Sequence, residues 1–176
     1  VHTNAEGTLE FTTLFYLPAK APPDIYHADY QPGVKLYVRR VFITDDDRDL
    51  LPTYLRFVRG VIDSEDLPLN VSREILQQNR TMSAIKQASV KKILSELASL
   101  AKNNPSGYDR FFTELGRVFK EGLYQDPGNR EQLLELVRYR SSSEEGLVSL
   151  AQYQQRMSSD QKVIYYITGD RSADLR

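Results

Sequence analysis

The sequence contains no cysteine and no tryptophan, and only two histidines, His2 and His27, among its 176 residues. Without cysteine there is no disulfide, thiolate metal site or cysteine nucleophile, and two histidines argue against zinc chemistry. No apolar run approaches the about 20 residues that span a bilayer, and residues 1–7 do not have the pattern of a signal sequence. The first residue is not methionine, so we expect the sequence to be part of a longer protein.

Charge of one sign is also lacking, because 23 lysines and arginines nearly balance 24 aspartates and glutamates. A net charge of −1 gives no overall field that would attract nucleic acid or an anionic membrane. Glycine-rich phosphate-binding loops and the G-x-S-x-G motif of serine hydrolases do not occur. We therefore expect no nucleotide bound by this chain alone, and no nucleic-acid or membrane partner.

The first third of the chain has the pattern of an α/β layer. Apolar residues between Gly7 and Pro18 predict a strand covered on both faces, and residues 18–33 form a proline-rich loop. Three further elements are predicted, namely a strand over Val34–Ile43, a helix over Leu51–Val58 that Gly60 caps, and a strand over Val61–Asp63.

The remainder is mainly helical. Apolar stripes predict three amphipathic helices, over Met82–Lys102, Tyr108–Leu123 and Asn129–Tyr139. Ser149 and Gln152 have the spacing of a capping box that opens a short helix. Lys162–Thr168 has the pattern of a strand, and its sheet neighbours are expected beyond Arg176.

Two acidic groups have both a chemical and a structural interpretation. His27 with Asp24 and Asp29 fits an acid–base or metal pair, but such residues are common in solvated turns. The run Asp45–Asp47 fits a metal site, but acids are also favoured where a helix begins. The structural interpretation is the simpler one for both groups.

The connection from Asp63 to Asn79 holds the most informative polar residues. Pro68 breaks the strand, Ser72 is a candidate N-cap, and Arg73 then lies in the first turn, where a cation is electrostatically disfavoured. A phosphate at that helix end would contact both the guanidinium and free N–H groups. Gln77 projects from the same face as Arg73. A surface or salt-bridged role for Arg73 stays open on spacing alone.

Four blocks of the sequence resemble, in order, the middle domain of the heat-shock protein 90 chaperone family, bacterial HtpG type. They are VKLYVRRVFI at residues 34–43, YLRFVRG at 54–60, IDSEDLPLNVSREILQQN at 62–79 and IYYITG at 164–169. The resemblance implies a layered α-β-α subdomain with a mixed sheet, a helical connector and the beginning of a second, smaller α/β subdomain. We place these units at residues 1–103, 104–145 and 146–176.

The resemblance also implies a role in ATP hydrolysis. In this family the arginine of the N-(V/L)-S-R-E motif reaches the γ-phosphate of ATP held, with magnesium, by a separate N-terminal domain. That residue is Arg73 here, with Gln77 assisting the phosphate contact and Asn70 fixing the loop. The fragment alone is expected to be inactive, whereas the full-length parent is expected to be an ATPase.

The resemblance further implies a cytoplasmic chaperone of the stress response that binds unfolded client proteins. Its partners would be the N-terminal domain in cis, client proteins and a second copy joined through a C-terminal domain. Phe42 matches an aromatic residue on the client-facing side. Two alternatives stay open, namely an interaction module without a catalytic role and the transducer domain of another two-domain ATPase.

Overall fold

The structure is a computed structural model, and it describes residues 1–5, 9–45, 50–69 and 79–169. Within these residues the first half forms a mixed sheet of five strands. The strands are β1 (His2–Ala5), β2 (Phe11–Tyr16), β3 (Gly33–Val38), β4 (Val41–Thr44) and β5 (Arg59–Ser64). Their spatial order is β1-β2-β5-β3-β4, with only β3 and β5 parallel. The predicted α/β class with a mixed sheet is confirmed.

Helices and a small hairpin follow the sheet. The α-helices in the described residues are α1 (Arg80–Asn103), α2 (Pro105–Lys120), α3 (Gly122–Gln125), α4 (Arg130–Leu136) and α5 (Leu150–Arg156). Strands β6 (Arg138–Arg140) and β7 (Leu147–Ser149) pair as an antiparallel hairpin between α4 and α5. No helix in the described part of the chain is long and apolar enough to cross a membrane. The division at residues 103 and 145 stays a prediction.

One hydrophobic core joins the sheet to α1, α2 and α4. Its centre is a cluster of aromatic rings on α2, where Phe119 is completely buried and lies edge-on to Tyr54, Phe111 and Phe112. Edge-to-face rings are favoured because the positive ring edge meets the negative ring face. The apolar stripe predicted for the second helix therefore lies in the core and packs against Tyr54.

Strand β2 differs from its prediction, because only one of its faces is covered by described residues. Phe11 and Phe15 are buried, whereas Leu14 is 48% and Tyr16 is 59% exposed. Alternation along a strand places these pairs on opposite faces. The prediction that β2 is covered on both faces was therefore wrong.

The segment predicted as one strand over Val34–Ile43 is a tight hairpin of β3 and β4. Val38 pairs with Val41, so Arg39 and Arg40 are the two central residues of the turn, with φ angles of 49° and 66°. Such left-handed conformations cost about 1–2 kcal/mol per non-glycine residue. The prediction of one continuous strand over Val34–Ile43 was therefore wrong, because the backbone reverses at Arg39 and Arg40.

The predicted helix over Leu51–Val58 is a single 3₁₀ turn at Thr53–Leu55. Leu51, Tyr54, Leu55 and Val58 are buried, as predicted for a helical stripe, although the backbone forms only this one turn. Backbone hydrogen bonds here join residues three positions apart. The Leu55 N–H donates to the Pro52 carbonyl (2.8 Å), and the Val58 N–H donates to the Leu55 carbonyl (2.9 Å). The spacing of apolar residues alone does not distinguish a predicted helix from such a 3₁₀ turn.

Gly60 is not a helix cap but a residue of the central strand β5, with φ of +143°. A Cβ there would lie 1.9 Å from the Leu14 carbonyl oxygen of β2. Glycine is therefore required by the close approach of a neighbouring strand, which is its usual role inside a sheet.

The helices agree better with their predictions. α1 and α2 lie close to the predicted ranges, and the capping box of Ser149 and Gln152 opens α5 as expected. In contrast, residues 162–168 form no strand, and Tyr165 and Tyr166 are 73% and 86% exposed. A strand requires a neighbour to pair with, and no described residue provides one.

Candidate functional site

Arg73 and Gln77, predicted to contact phosphate, and Asn70, predicted to fix their loop, lie outside the described residues, as does the candidate N-cap Ser72. Their roles stay predictions. The structure describes the chain on both sides of them, namely the connection Glu65–Leu69 that follows β5 and Asn79 before α1.

The connection Glu65–Leu69 is tied to the start of β2. The Glu65 backbone N–H donates to the Glu10 carbonyl (3.0 Å), and the Glu10 backbone N–H donates to Asp66 Oδ2 (2.6 Å). Leu67 is completely buried, which anchors the connection in the core. This pairing continues the contact between β2 and β5 beyond the end of β5.

The turn between β3 and β4 holds the same region from the other side. The Arg39 backbone N–H donates to the Ser64 carbonyl (3.0 Å), and the Arg40 backbone N–H donates to Asp63 Oδ1 (3.1 Å). The Arg39 side chain adds a bond from Nε to the Glu65 carbonyl (3.0 Å). The end of β5 is therefore fixed by both of its neighbouring strands.

The chain after residue 78 is held by a helix cap. Asn79 Oδ1 accepts hydrogen bonds from the backbone N–H groups of Thr81 (2.8 Å) and Met82 (3.3 Å). An asparagine N-cap contributes about 1 kcal/mol and determines where the helix begins. Met82 and Ile85 are buried and attach the first turns of α1 to the core.

A shallow groove of about 250 Å³ lies beside β5, and its lining is acidic. Glu10, Asp63 and Glu65 line it together with Asn4, Ala5, Phe11 and Thr12. Three carboxylates repel a phosphate, so this groove is not a phosphate site. Among the described residues no group of three or more histidines, aspartates or glutamates is placed to hold a metal ion.

Among the described residues, the two acidic groups of uncertain role form no metal site. His27 is exposed, and its backbone N–H donates to the Asp24 carbonyl (2.8 Å), as in a turn. Asp45 is exposed, whereas Asp46 and Asp47 lie outside the described residues.

An ion pair that the sequence did not reveal joins the 3₁₀ turn to the end of α2. Both terminal nitrogens of Arg56 donate to Glu121, at 2.7 and 2.9 Å, and Arg56 Nε donates to the Ile25 carbonyl (2.9 Å). Only 13% of the Arg56 side chain is exposed. These hydrogen bonds from Arg56 hold the pKa of Glu121 below its ordinary value of 4.5, against the opposing effect of burial.

Stability is expected to fall in acid partly through Glu121. Because its pKa is lower in the folded than in the unfolded chain, the stabilisation is complete above pH 4.5 and is lost as pH falls through the lower folded pKa. Glu121→Gln should therefore unfold with a weaker pH dependence than the parent below pH 4.5, measured by urea denaturation at several pH values. Glu131→Gln, in the first turn of α4, is the matched control, and equal slopes for the two variants would contradict the assignment.

The similarity of the chain to known proteins bears on this geometry. The family model described as Hsp90 protein matches residues 1–176, the whole chain. The chain belongs to the Hsp90 family. Its Hsp90 relatives include the chaperone protein HtpG of Treponema denticola, 63% identical over all of this chain, and that of Treponema pallidum, 64% identical over the same extent.

A solved Hsp90 structure identifies the fold more narrowly. The middle domain of a heat shock protein from Plasmodium falciparum superposes with a TM-score of 0.81 at 31% identity, covering 98% of this chain and 66% of that one. The fold is therefore that of an Hsp90 middle domain. The chain spans 28% of the length of the two Treponema HtpG proteins.

Phe42, the residue expected on the client-facing side, lies on the edge strand β4 and is 50% exposed. Its ring packs edge-on against Tyr37, with centroids 5.7 Å apart. Val41 beside it is 51% exposed. Phe42 is thus a surface residue, and its client role stays a prediction.

Sequence reasoning missed Arg39, Arg40 and the Arg56–Glu121 pair. Two-residue turns are usually signalled by asparagine or glycine, and two arginines between apolar runs give no such signal. Arg56 and Glu121 are 65 residues apart, so only the tertiary fold brings them together.

Proposed function

We propose that this chain is the middle domain of an HtpG-type chaperone that uses ATP to assist protein folding. The observation that carries the proposal is similarity along the whole chain, both to the family and to a solved middle domain. The chain has no phosphate-binding loop, so ATP and magnesium would be held by an N-terminal domain of the same polypeptide.

Arg73 would complete that ATP site from outside. Phosphoryl transfer spreads negative charge over the γ-phosphate oxygens, and a positioned guanidinium stabilises that charge. The planar fork of arginine contacts two oxygens at once, which lysine cannot do. Gln77 would assist the same contact and Asn70 would hold the loop in place.

The described geometry supports this role through the flanks of residues 70–78. The start of β2 and the β3–β4 turn hold the residues before this segment, and the Asn79 cap holds those after it. Catalytic side chains are effective when rigid elements support them. This anchoring is what a phosphate-contacting segment would need.

Because the arginine and the nucleotide would belong to different domains, hydrolysis would depend on domain closure. The chain alone would then be inactive. Its partners would be the N-terminal domain in cis, client proteins and a second copy joined through a C-terminal domain, and the protein would act in the cytoplasm. The half-exposed Phe42 would offer apolar surface to clients.

Joining this chain to its N-terminal domain should raise ATP turnover above that of the N-terminal domain alone. The expected reason is that the N-terminal domain binds ATP but lacks the guanidinium. Steady-state ATP hydrolysis by the two proteins, with ATP affinity measured in parallel, tests this. Equal turnover, or an equal rise with Arg73→Ala in the joined protein, would favour an interaction module instead.

A further inference from the structure

The β3–β4 turn contains residues that its backbone does not favour. A two-residue turn with positive φ at both positions normally holds Asn-Gly, because other side chains are strained there. Here the positions hold Arg39 and Arg40, with φ of 49° and 66°. Strained residues that the surrounding structure maintains often have a functional reason.

Most hydrogen bonds of this turn do not need arginine. The backbone N–H groups of Arg39 and Arg40 donate to the Ser64 carbonyl and to Asp63 Oδ1, as those of any residue except proline could. The bond from Arg39 Nε to the Glu65 carbonyl (3.0 Å) is different, because it needs a donor at the end of a long side chain. The Arg40 guanidinium makes no hydrogen bond or ion pair with the described residues.

Glu65 is held through both of its backbone polar groups. Its N–H donates to the Glu10 carbonyl, and its C=O accepts from Arg39. It is the first residue after β5, and the chain continues from it through buried Leu67 to exposed Leu69. A shift at Glu65 would therefore pass directly into the residues that lead to position 70.

We infer that Arg39 is a positioning residue, whose Nε–H fixes the Glu65 carbonyl and thereby the direction in which the chain leaves β5 towards Arg73. This inference rests on the proposed function. Arg39 would touch neither ATP nor Arg73. It would act through the main chain, and displacements of about 1 Å at a catalytic group lower rates by up to about 10²-fold.

Three substitutions separate the side-chain donor from the strain of the turn. Arg39→Asn relieves strain, because asparagine tolerates positive φ, but it is too short to reach Glu65. Arg39→Gln keeps an N–H donor separated from Cα by the same number of bonds as Arg Nε, without the charge. Arg40→Gly relieves strain and leaves the Arg39 donor in place.

In the full-length protein we expect Arg39→Asn to lower kcat for ATP hydrolysis by about tenfold with little change in KM, whereas Arg39→Gln and Arg40→Gly stay within about twofold of the parent. We also expect Arg39→Asn and Arg40→Gly to leave the melting temperature of the chain unchanged or raise it. A variant that is equally or more stable but slower would separate positioning from folding.

Wild-type turnover in Arg39→Asn would overturn the inference, as would a loss in Arg39→Gln equal to that in Arg39→Asn. A tenfold loss in Arg40→Gly would also overturn it, since turn strain and not the donor would then matter. Arg73→Ala, measured in the same series, distinguishes a failure of the proposed function from a failure of this inference. Normal turnover in Arg73→Ala removes the proposed function, whereas loss there with normal Arg39→Asn removes only this inference.

Discussion

Replacing Arg73 by alanine in the full-length protein is expected to lower kcat for ATP hydrolysis by about 10³-fold, the lower end of the range for arginine fingers. The affinity for ATP should change little, because the nucleotide would be bound by the N-terminal domain. The expected loss is large because a guanidinium that acts only on the transition state contributes to kcat and not to binding. Steady-state hydrolysis and equilibrium ATP binding measure the two quantities separately.

Arg73→Lys is the matched variant. Lysine keeps the positive charge but contacts phosphate as a single point, so its turnover should lie between those of the parent and Arg73→Ala. If Arg73→Ala instead hydrolyses ATP at the parental rate and only melts at a lower temperature, Arg73 stabilises its own domain. The interaction-module interpretation would then be the better one.

Replacing Phe119 by alanine should destabilise the chain by about 3–5 kcal/mol, a large part of the stability of a typical domain. Phe119 is completely buried, and its ring contacts those of Tyr54, Phe111 and Phe112, so its removal leaves a cavity between α2 and the 3₁₀ turn. For a chain of this size the melting temperature should fall by about 6–20 °C. Thermal and urea unfolding followed by circular dichroism measure the change.

Tyr124→Ala provides the control for that experiment. Tyr124 is 93% exposed, so its removal should alter stability by no more than about 0.5 kcal/mol. A loss in Phe119→Ala no larger than in Tyr124→Ala would mean that the aromatic cluster is not the core of the fold.

Sequence reasoning succeeded where a local pattern and its tertiary setting agree. The helices α1 and α2 have long apolar stripes, and the capping box of Ser149 and Gln152 depends only on neighbouring residues. It failed at Gly60, where the cap expected from local sequence is a strand residue against the Leu14 carbonyl. It also failed at residues 51–58, where the buried residues have helical spacing but the backbone forms only a 3₁₀ turn, since the spacing of a short apolar run does not fix its backbone conformation.

Some features of the candidate site also follow from the sequence, and others only from the structure. The motif at residues 70–79 and its resemblance to the heat-shock protein 90 family are properties of the sequence, and they suggested both the family and the roles of Arg73, Gln77 and Asn70. The contacts that support the site came only from the structure. Arg39 and Glu65 are 26 residues apart, and Glu10 and Asp66 are 56 residues apart.

The sequence by itself determined the helices with a single apolar face, the absence of cysteine, and the family. The tertiary structure decided where the chain reverses at Arg39 and Arg40, which face of β2 is covered, and how the end of β5 is held. The physical reason is that helix periodicity and capping arise from residues a few positions apart. Strand register, left-handed turns and buried ion pairs depend on groups that meet only after the chain has folded.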